Sequence, residues 1–115
     1  MYEYKANITK VVDGDTVDAT VDLGFGIFTI MRLRLMEINT EELTDKDMEK
    51  RAMAVAAKER VQALLLEQGT NVIIRTVKDK KEKYGRYLAS IILSDGRCLN
   101  SVLLDEGLAA KVSYE

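Results

Sequence analysis

No position of the 115-residue chain is a histidine. Imidazole is the side chain that titrates near neutrality, so every mechanism built on a histidine base, nucleophile or metal ligand is excluded. Cysteine occurs once, at Cys98. An internal disulfide is therefore impossible, and a zinc site would have only carboxylates to use. Any metal held by this chain is expected to be a hard cation on oxygen ligands. A lone cysteine among apolar neighbours is expected to be a small core residue rather than a reactive thiol. Proline is absent, and no linker, repeat or low-complexity segment divides the chain. No apolar run approaches the ~20 residues that span a bilayer. Met1-Tyr2-Glu3-Tyr4-Lys5 carries no secretory pattern. The chain as given is thus expected to be soluble and cytoplasmic with no membrane partner, a previously removed leader being the alternative.

What is present suits one domain over residues 1–115, with 47% apolar and 31% charged residues, enough to bury a core without staples. The net charge of −2 argues against a purely electrostatic nucleic-acid coat. Its distribution says more. Residues 1–24 set Lys5 and Lys10 against Glu3, Asp13, Asp15, Asp18 and Asp22. Residues 75–86 set Arg75, Lys78, Lys80, Lys81, Lys83 and Arg86 against Asp79 and Glu82. Two such clusters suit a cation and a polyanion meeting at one site, or two solvated loops.

Hydrophobic periodicity predicts strands over residues 4–12, 16–23 and 27–38. In the second, Val17, Ala19, Val21 and Leu23 face one way and Thr16, Asp18, Thr20 and Asp22 the other, the two-residue period of a half-buried strand. Gly24-Phe25-Gly26 is a turn signal, so an antiparallel meander is expected. A helix is predicted over 46–68, with Ala54, Ala57, Val61, Leu64 and Leu65 on its buried face and Gly69 ending it. Strands over 72–77 and 87–93 follow, separated by a basic loop over 78–85. After an Asp95-Gly96 turn comes a short helix, with Asn100 as N-cap and its end at Gly107. Five strands with a long helix between the third and fourth, then a short C-terminal helix, is the order of an OB-fold, a small Greek-key barrel.

Three motifs carry candidate chemistry. Asp13-Gly14-Asp15-Thr16 places two carboxylates about a glycine before a strand, which makes either a plain polar turn or a turn aimed at a cation. Arg34 lies between Leu33 and Leu35 on a core-like strand. A guanidinium there needs an anionic partner, either a structural carboxylate or a phosphate matched by its donor fork. Glu42 falls just beyond, in the polar stretch 39–45. Lys83-Tyr84-Gly85-Arg86 offers a stacking ring and a phosphate-binding cation, or a basic hairpin.

Taken together, Asp13-Gly14-Asp15-Thr16, Arg34-Leu35, Asn39-Thr40-Glu41-Glu42, Tyr84-Gly85-Arg86 and Asn100 through Gly107-Leu108-Ala109 keep the order and spacing of the staphylococcal nuclease family. The resemblance runs from about Tyr4 to Lys111. It implies a calcium-dependent nuclease hydrolysing phosphodiester bonds of DNA, RNA or both. It implies one Ca²⁺ ion held by Asp15, Asn39 and the backbone carbonyl of Thr40, with Asp13 supporting from behind. By the same resemblance, Arg34 and Arg86 bind the phosphate and stabilise its transition state, Glu42 orients or deprotonates the attacking water, and Lys83, Tyr84 and Tyr114 contact the nucleotide.

The sequence departs from that pattern at three places. Asn39 stands where the family has aspartate, so the site loses a charge and metal affinity should fall. Glu41 replaces a proline, which loosens the loop carrying Glu42. The chain as given ends before the family's final helix, which would expose apolar surface and permit self-association. The alternatives are a non-catalytic nucleic-acid-binding module with a weakened metal site, and an assembly domain whose arginines serve as internal salt bridges.

Overall fold

The computed structural model describes residues 2–81 and 86–112. Strands β1 (Tyr2–Asp13), β2 (Thr16–Gly24) and β3 (Ile27–Leu35) form the expected antiparallel meander. A two-residue connection, β4 (Ile38–Asn39), helix α1 (Met48–Gln68), and strands β5 (Asn71–Lys81) and β6 (Tyr87–Ile92) follow. Helix α2 (Leu99–Asp105) and the short β7 (Ala110–Lys111) complete the described chain. The order around the closed barrel is β1-β2-β3-β6-β5, with β5 returning to pair with β1. The five-stranded OB-type barrel with two helices is thus the observed fold. Its interior holds Val17, Val21, Leu33, Leu35, Ile74 and Ile91, all nearly inaccessible.

Helix α1 packs its five expected apolar residues, Ala54, Ala57, Val61, Leu64 and Leu65, inward. Asp47 caps it, its carboxylate accepting from the backbone N–H groups of Glu49 and Lys50, so the helix begins two residues later than periodicity predicts. Gly69 ends it with a positive φ and donates to Leu65 O. Among the described residues no helix is long and apolar enough to cross a membrane.

Several local expectations are corrected. The strand predicted over 27–38 is two strands. It breaks at Met36-Glu37, where Glu37 takes φ 65°, and Ile38–Asn39 turns away to pair with Ala110–Lys111. The strand predicted over 72–77 runs to Lys81, so the first part of the basic segment is strand rather than loop. Leu23 is exposed although Val21, on the same face, is buried, because the ribbon has left the barrel there. Cys98, not Asn100, occupies the N-cap position of α2, and it is half-buried rather than fully in the core. The end of α2 does meet expectation: Gly107 N–H donates to Leu104 O and Leu108 N–H to Leu103 O, the paired bonds of a glycine-terminated helix.

Candidate functional site

The site is assembled on the β1–β2 turn and the end of β3. Thr16 and Arg34 are direct cross-strand partners, so the pleat puts both side chains on the same face. The turn is closed locally by Asp13, whose Oδ1 accepts from Asp15 N–H at 3.1 Å. Gly14 is there for space rather than for a left-handed φ. A Cβ on it would sit 2.7 Å from the Ala57 Cβ of α1 and 3.0 Å from Thr40 Cγ2. The glycine therefore lets the turn lie flat against both helix and loop.

Asp15 is buried beneath that turn, and each of its oxygens is used. Oδ1 accepts from the Thr16 hydroxyl at 3.0 Å. Oδ2 accepts from Thr40 N–H at 3.1 Å and lies 3.2 Å from Arg34 Nη2. Arg34 is 8% exposed. Its Nη1 donates to the carbonyls of Leu35 and Ile38, both at 2.8 Å, and its Nη2 donates to Asn39 Oδ1 at 2.9 Å. Those bonds explain how a guanidinium survives in an apolar strand end: the break after Leu35 turns backbone carbonyls toward it. Arg86, half-buried, donates from Nη1 to Thr16 Oγ1 at 3.2 Å. One hydroxyl thus connects Arg86 to Asp15, and Asp15 to Arg34 and Asn39.

The two carboxyls of the turn titrate apart. Burial pushes Asp13 up to about 6, helped by a hydrogen bond shared with Asp15 and by that neighbour's charge. Asp15 is held below the ordinary carboxylate range. Its own burial opposes ionisation, but the hydrogen bond with Asp13, the charge of Arg34, Thr40 N–H and the Thr16 hydroxyl together outweigh it. Arg32 extends the cationic face. It is bound to Asp18 at 2.8 Å, which raises its pKa, while the nearby charge of Arg86 opposes that rise.

Asp13, Asp15, Arg34, Asn39, Thr40 and Arg86 are therefore brought together at one end of the barrel. Glu42 is exposed in the segment after β4, with its carbonyl accepting from Asp45 N–H. Its carboxylate makes no hydrogen bond or ion pair with the site among the described residues. Lys83, Tyr84 and Tyr114 lie outside the described residues. The donors proposed for a metal are oxygens throughout, which suits a hard cation. They are few, however: among the described residues no three His, Cys, Asp or Glu side chains converge, and Arg34 Nη2 lies between the Asp15 and Asn39 oxygens.

Sequence reasoning named three supporting residues without finding their roles at the site. Thr16 links the two arginines through Asp15, and its position directly opposite Arg34 was available from strand pairing alone. Ala57 sets the depth of the turn, a role visible only in three dimensions. Asn100 is buried, accepts from Ile91 N–H at 3.2 Å, and donates to the carbonyls of Met36 at 3.0 Å and Ala89 at 3.1 Å. It thereby ties the break after β3, and hence Arg34, to β6.

No curated protein sequence matches the chain significantly. A family model described as staphylococcal nuclease homologue matches residues 32–115. That span holds Arg34, Asn39, Thr40, Glu42 and Arg86, while Asp13 and Asp15 enter the site from the preceding hairpin. A match over that much of the chain, on a closed five-stranded barrel with two helices, makes the protein a member of the staphylococcal nuclease homologue family, a family of nucleases and nuclease-like nucleic-acid-binding domains.

Proposed function

We propose that the chain is a phosphodiesterase acting on nucleic acid with the help of a calcium ion. The observation that carries this reading is the chain Arg86–Thr16–Asp15–Arg34–Asn39 at one end of the barrel, joined by hydrogen bonds and, between Asp15 and Arg34, by an ion pair. Arg86 would meet the equatorial oxygens of a phosphate, where negative charge grows during hydrolysis, and Arg34 would join it by exchanging its bonds to Asn39 and Asp15 for the phosphate. Asp15, the Asn39 amide oxygen and the Thr40 carbonyl would hold the cation, which supplies Lewis acidity and lowers the pKa of water. Glu42, in the absence of any histidine, takes the proton of the attacking water. The water oxygen bonds to phosphorus as the ester P–O bond breaks, and the departing oxygen carries away the electron pair. Lys83, Tyr84 and Tyr114 are proposed to hold the nucleotide.

The test is hydrolysis of single- and double-stranded DNA and RNA by the purified chain, with calcium and with chelator. Cleavage that requires calcium and falls by about 100-fold or more in Arg86→Ala and Glu42→Ala is expected, the scale on which a charge-stabilising group contributes. No cleavage with any divalent cation would refute the reading.

One observation favours a second reading, a non-catalytic nucleic-acid-binding module. Arg34 Nη2 bonds Asn39 Oδ1 at 2.9 Å and faces Asp15 Oδ2 at 3.2 Å. The oxygens a cation would need are thus already engaged, and Asn39 brings no charge to compete for them. Nucleic-acid binding that is indifferent to calcium, without turnover, is the outcome this reading requires.

A further inference from the structure

A groove of about 740 Å³ runs between α1 and β1. Its near end adjoins the site. Val11, in its strand wall, lies just before Asp13. Lys58, in its helix wall, follows Ala57, the residue against which Gly14 packs. Its far end is at Gly69-Thr70, where α1 gives way to β5. From Lys58 to that end the helix rises about 15 Å. The walls are basic. Lys10 stands on one and Lys58 on the other, and no carboxylate lines the groove. Among the described residues neither lysine is held in an ion pair. Asp18 stands opposite Lys10 across the strand pair, but Arg32 engages both its oxygens, at 2.8 and 3.1 Å. On α1, Arg51, Val55, Lys58 and Gln62 recur at three- and four-residue spacing, so they share one face and Arg51 prolongs the basic stripe. Glu59 is turned about 100° away from Lys58. A chain of net charge −2 thus presents a basic groove beside its candidate site.

We propose that this groove carries the backbone of a single polynucleotide strand away from the phosphate at Arg86, with Lys10 and Lys58 each neutralising one further phosphate. The inference rests on the reading of the chain as a nucleic-acid phosphodiesterase and says where its substrate runs. Two facing cations without ion-pair partners fit a polyanion. An acidic polypeptide would satisfy the lysines, but only a polynucleotide also continues into a phosphate at the arginine. At the ~3.4 Å rise of a stacked strand, the groove takes about four nucleotides, which puts two phosphates within reach of the lysines. No aromatic ring lines the groove. Bases therefore find no stacking platform, and the contact is to the backbone, independent of sequence. The apolar part of the floor, including Leu66 at 88% exposed, lies against the sugars.

Fluorescence anisotropy of the full chain with labelled oligo-dT and oligo-rU of about 12 nucleotides, in chelator so that nothing is cleaved, reads the contact for DNA and RNA separately. Both strands are expected to bind, because both present the same phosphates. In the Lys10→Ala/Lys58→Ala variant the slope of log affinity against log salt becomes shallower by about 1.4, at about 0.7 per phosphate, and affinity at about 0.1 M salt falls by about tenfold or more. Lys10→Arg/Lys58→Arg keeps the slope. Lys5→Ala/Lys111→Ala removes the same charge at exposed positions outside the groove and also keeps it. Lys10→Gln/Lys58→Gln serves if the alanine pair fails to fold by circular dichroism. An unchanged slope in the Lys10/Lys58 variants overturns the proposal, as does an equal loss from the Lys5/Lys111 pair, or competition by poly-glutamate as strong as by unlabelled oligo-dT. Any of these beside calcium-dependent cleavage by the wild type leaves the phosphodiesterase reading standing. A wild type that binds neither strand and cleaves nothing overturns both.

Discussion

Replacing Asp13 with asparagine should stabilise the domain at neutral pH and change little in acid. Asp13 rises from an ordinary 3.8 to about 6 in the folded protein, chiefly through burial and then through Asp15. A carboxyl raised by folding favours the folded state most when protonated. That contribution is complete below pH 3.8 and is lost as pH climbs through about 6. Above that, the folded protein must ionise a poorly solvated group that the unfolded chain ionises freely. At about 1.4 kcal/mol per unit the penalty is at most about 3 kcal/mol. Asp13 is half-exposed, and screening by water brings it to about 1–2 kcal/mol. Asparagine keeps the oxygen that accepts from Asp15 N–H and replaces the shared proton with an amide N–H toward Asp15. For a domain of this size the gain is about 4–8 °C in Tm. Thermal unfolding followed by circular dichroism in chelator, from pH 4 to 8, measures it. An Asp13→Asn variant no more stable than wild type at pH 8, or one with the same advantage at pH 4, would refute a raised carboxyl at Asp13.

Arg34→Ala should cost about 3 kcal/mol in denaturant unfolding, because it leaves buried Asp15 without its cation and two carbonyls without a donor; a loss below 1 kcal/mol would contradict its internal bonding. Its effect on activity is therefore mixed with stability, and Arg86→Ala is the cleaner probe. Gly14→Ala should lose about 2 kcal/mol, since the added methyl meets Ala57 and Thr40 with no room to give; unchanged Tm would show that the turn can lift away from α1. Asn39→Asp should raise calcium affinity by about tenfold in calorimetric titration, through the restored charge; equal affinity would mean that Asn39 lies outside the cation's reach.

The sequence was most legible where structure is periodic. Ala54 through Leu65 showed α1 because a helix repeats its buried face locally, and Val17, Ala19 and Val21 showed β2 in the same way. It was least legible where distant segments decide. Leu33 to Ile38 reads as unbroken hydrophobic strand, yet Glu37 bends the chain with no glycine or proline to announce it. Asn100 has the composition of a helix cap, but the backbone groups of Met36, Ala89 and Ile91 outbid the local role. Ile27, Phe28 and Ile30 read as core because nothing local tells where a barrel stops. At the site, the strand pattern set Thr16 on the polar face, yet Thr16 is buried opposite Arg34. The break that supplies carbonyls to Arg34 was not legible either.

The contact of Gly14 with Ala57 and Thr40 has a consequence for cooperativity. Thr40 leads into the segment before α1, while Ala57 lies within the helix, so the turn bearing Asp13 and Asp15 is clamped by chain on both sides of the helix start. Docking of α1 and completion of the site are then a single thermodynamic event. Amide exchange in the turn and along the buried face of α1 should open with one common free energy. A ligand that tightens the grip of Asp15 would be felt as slower exchange in a helix it never touches.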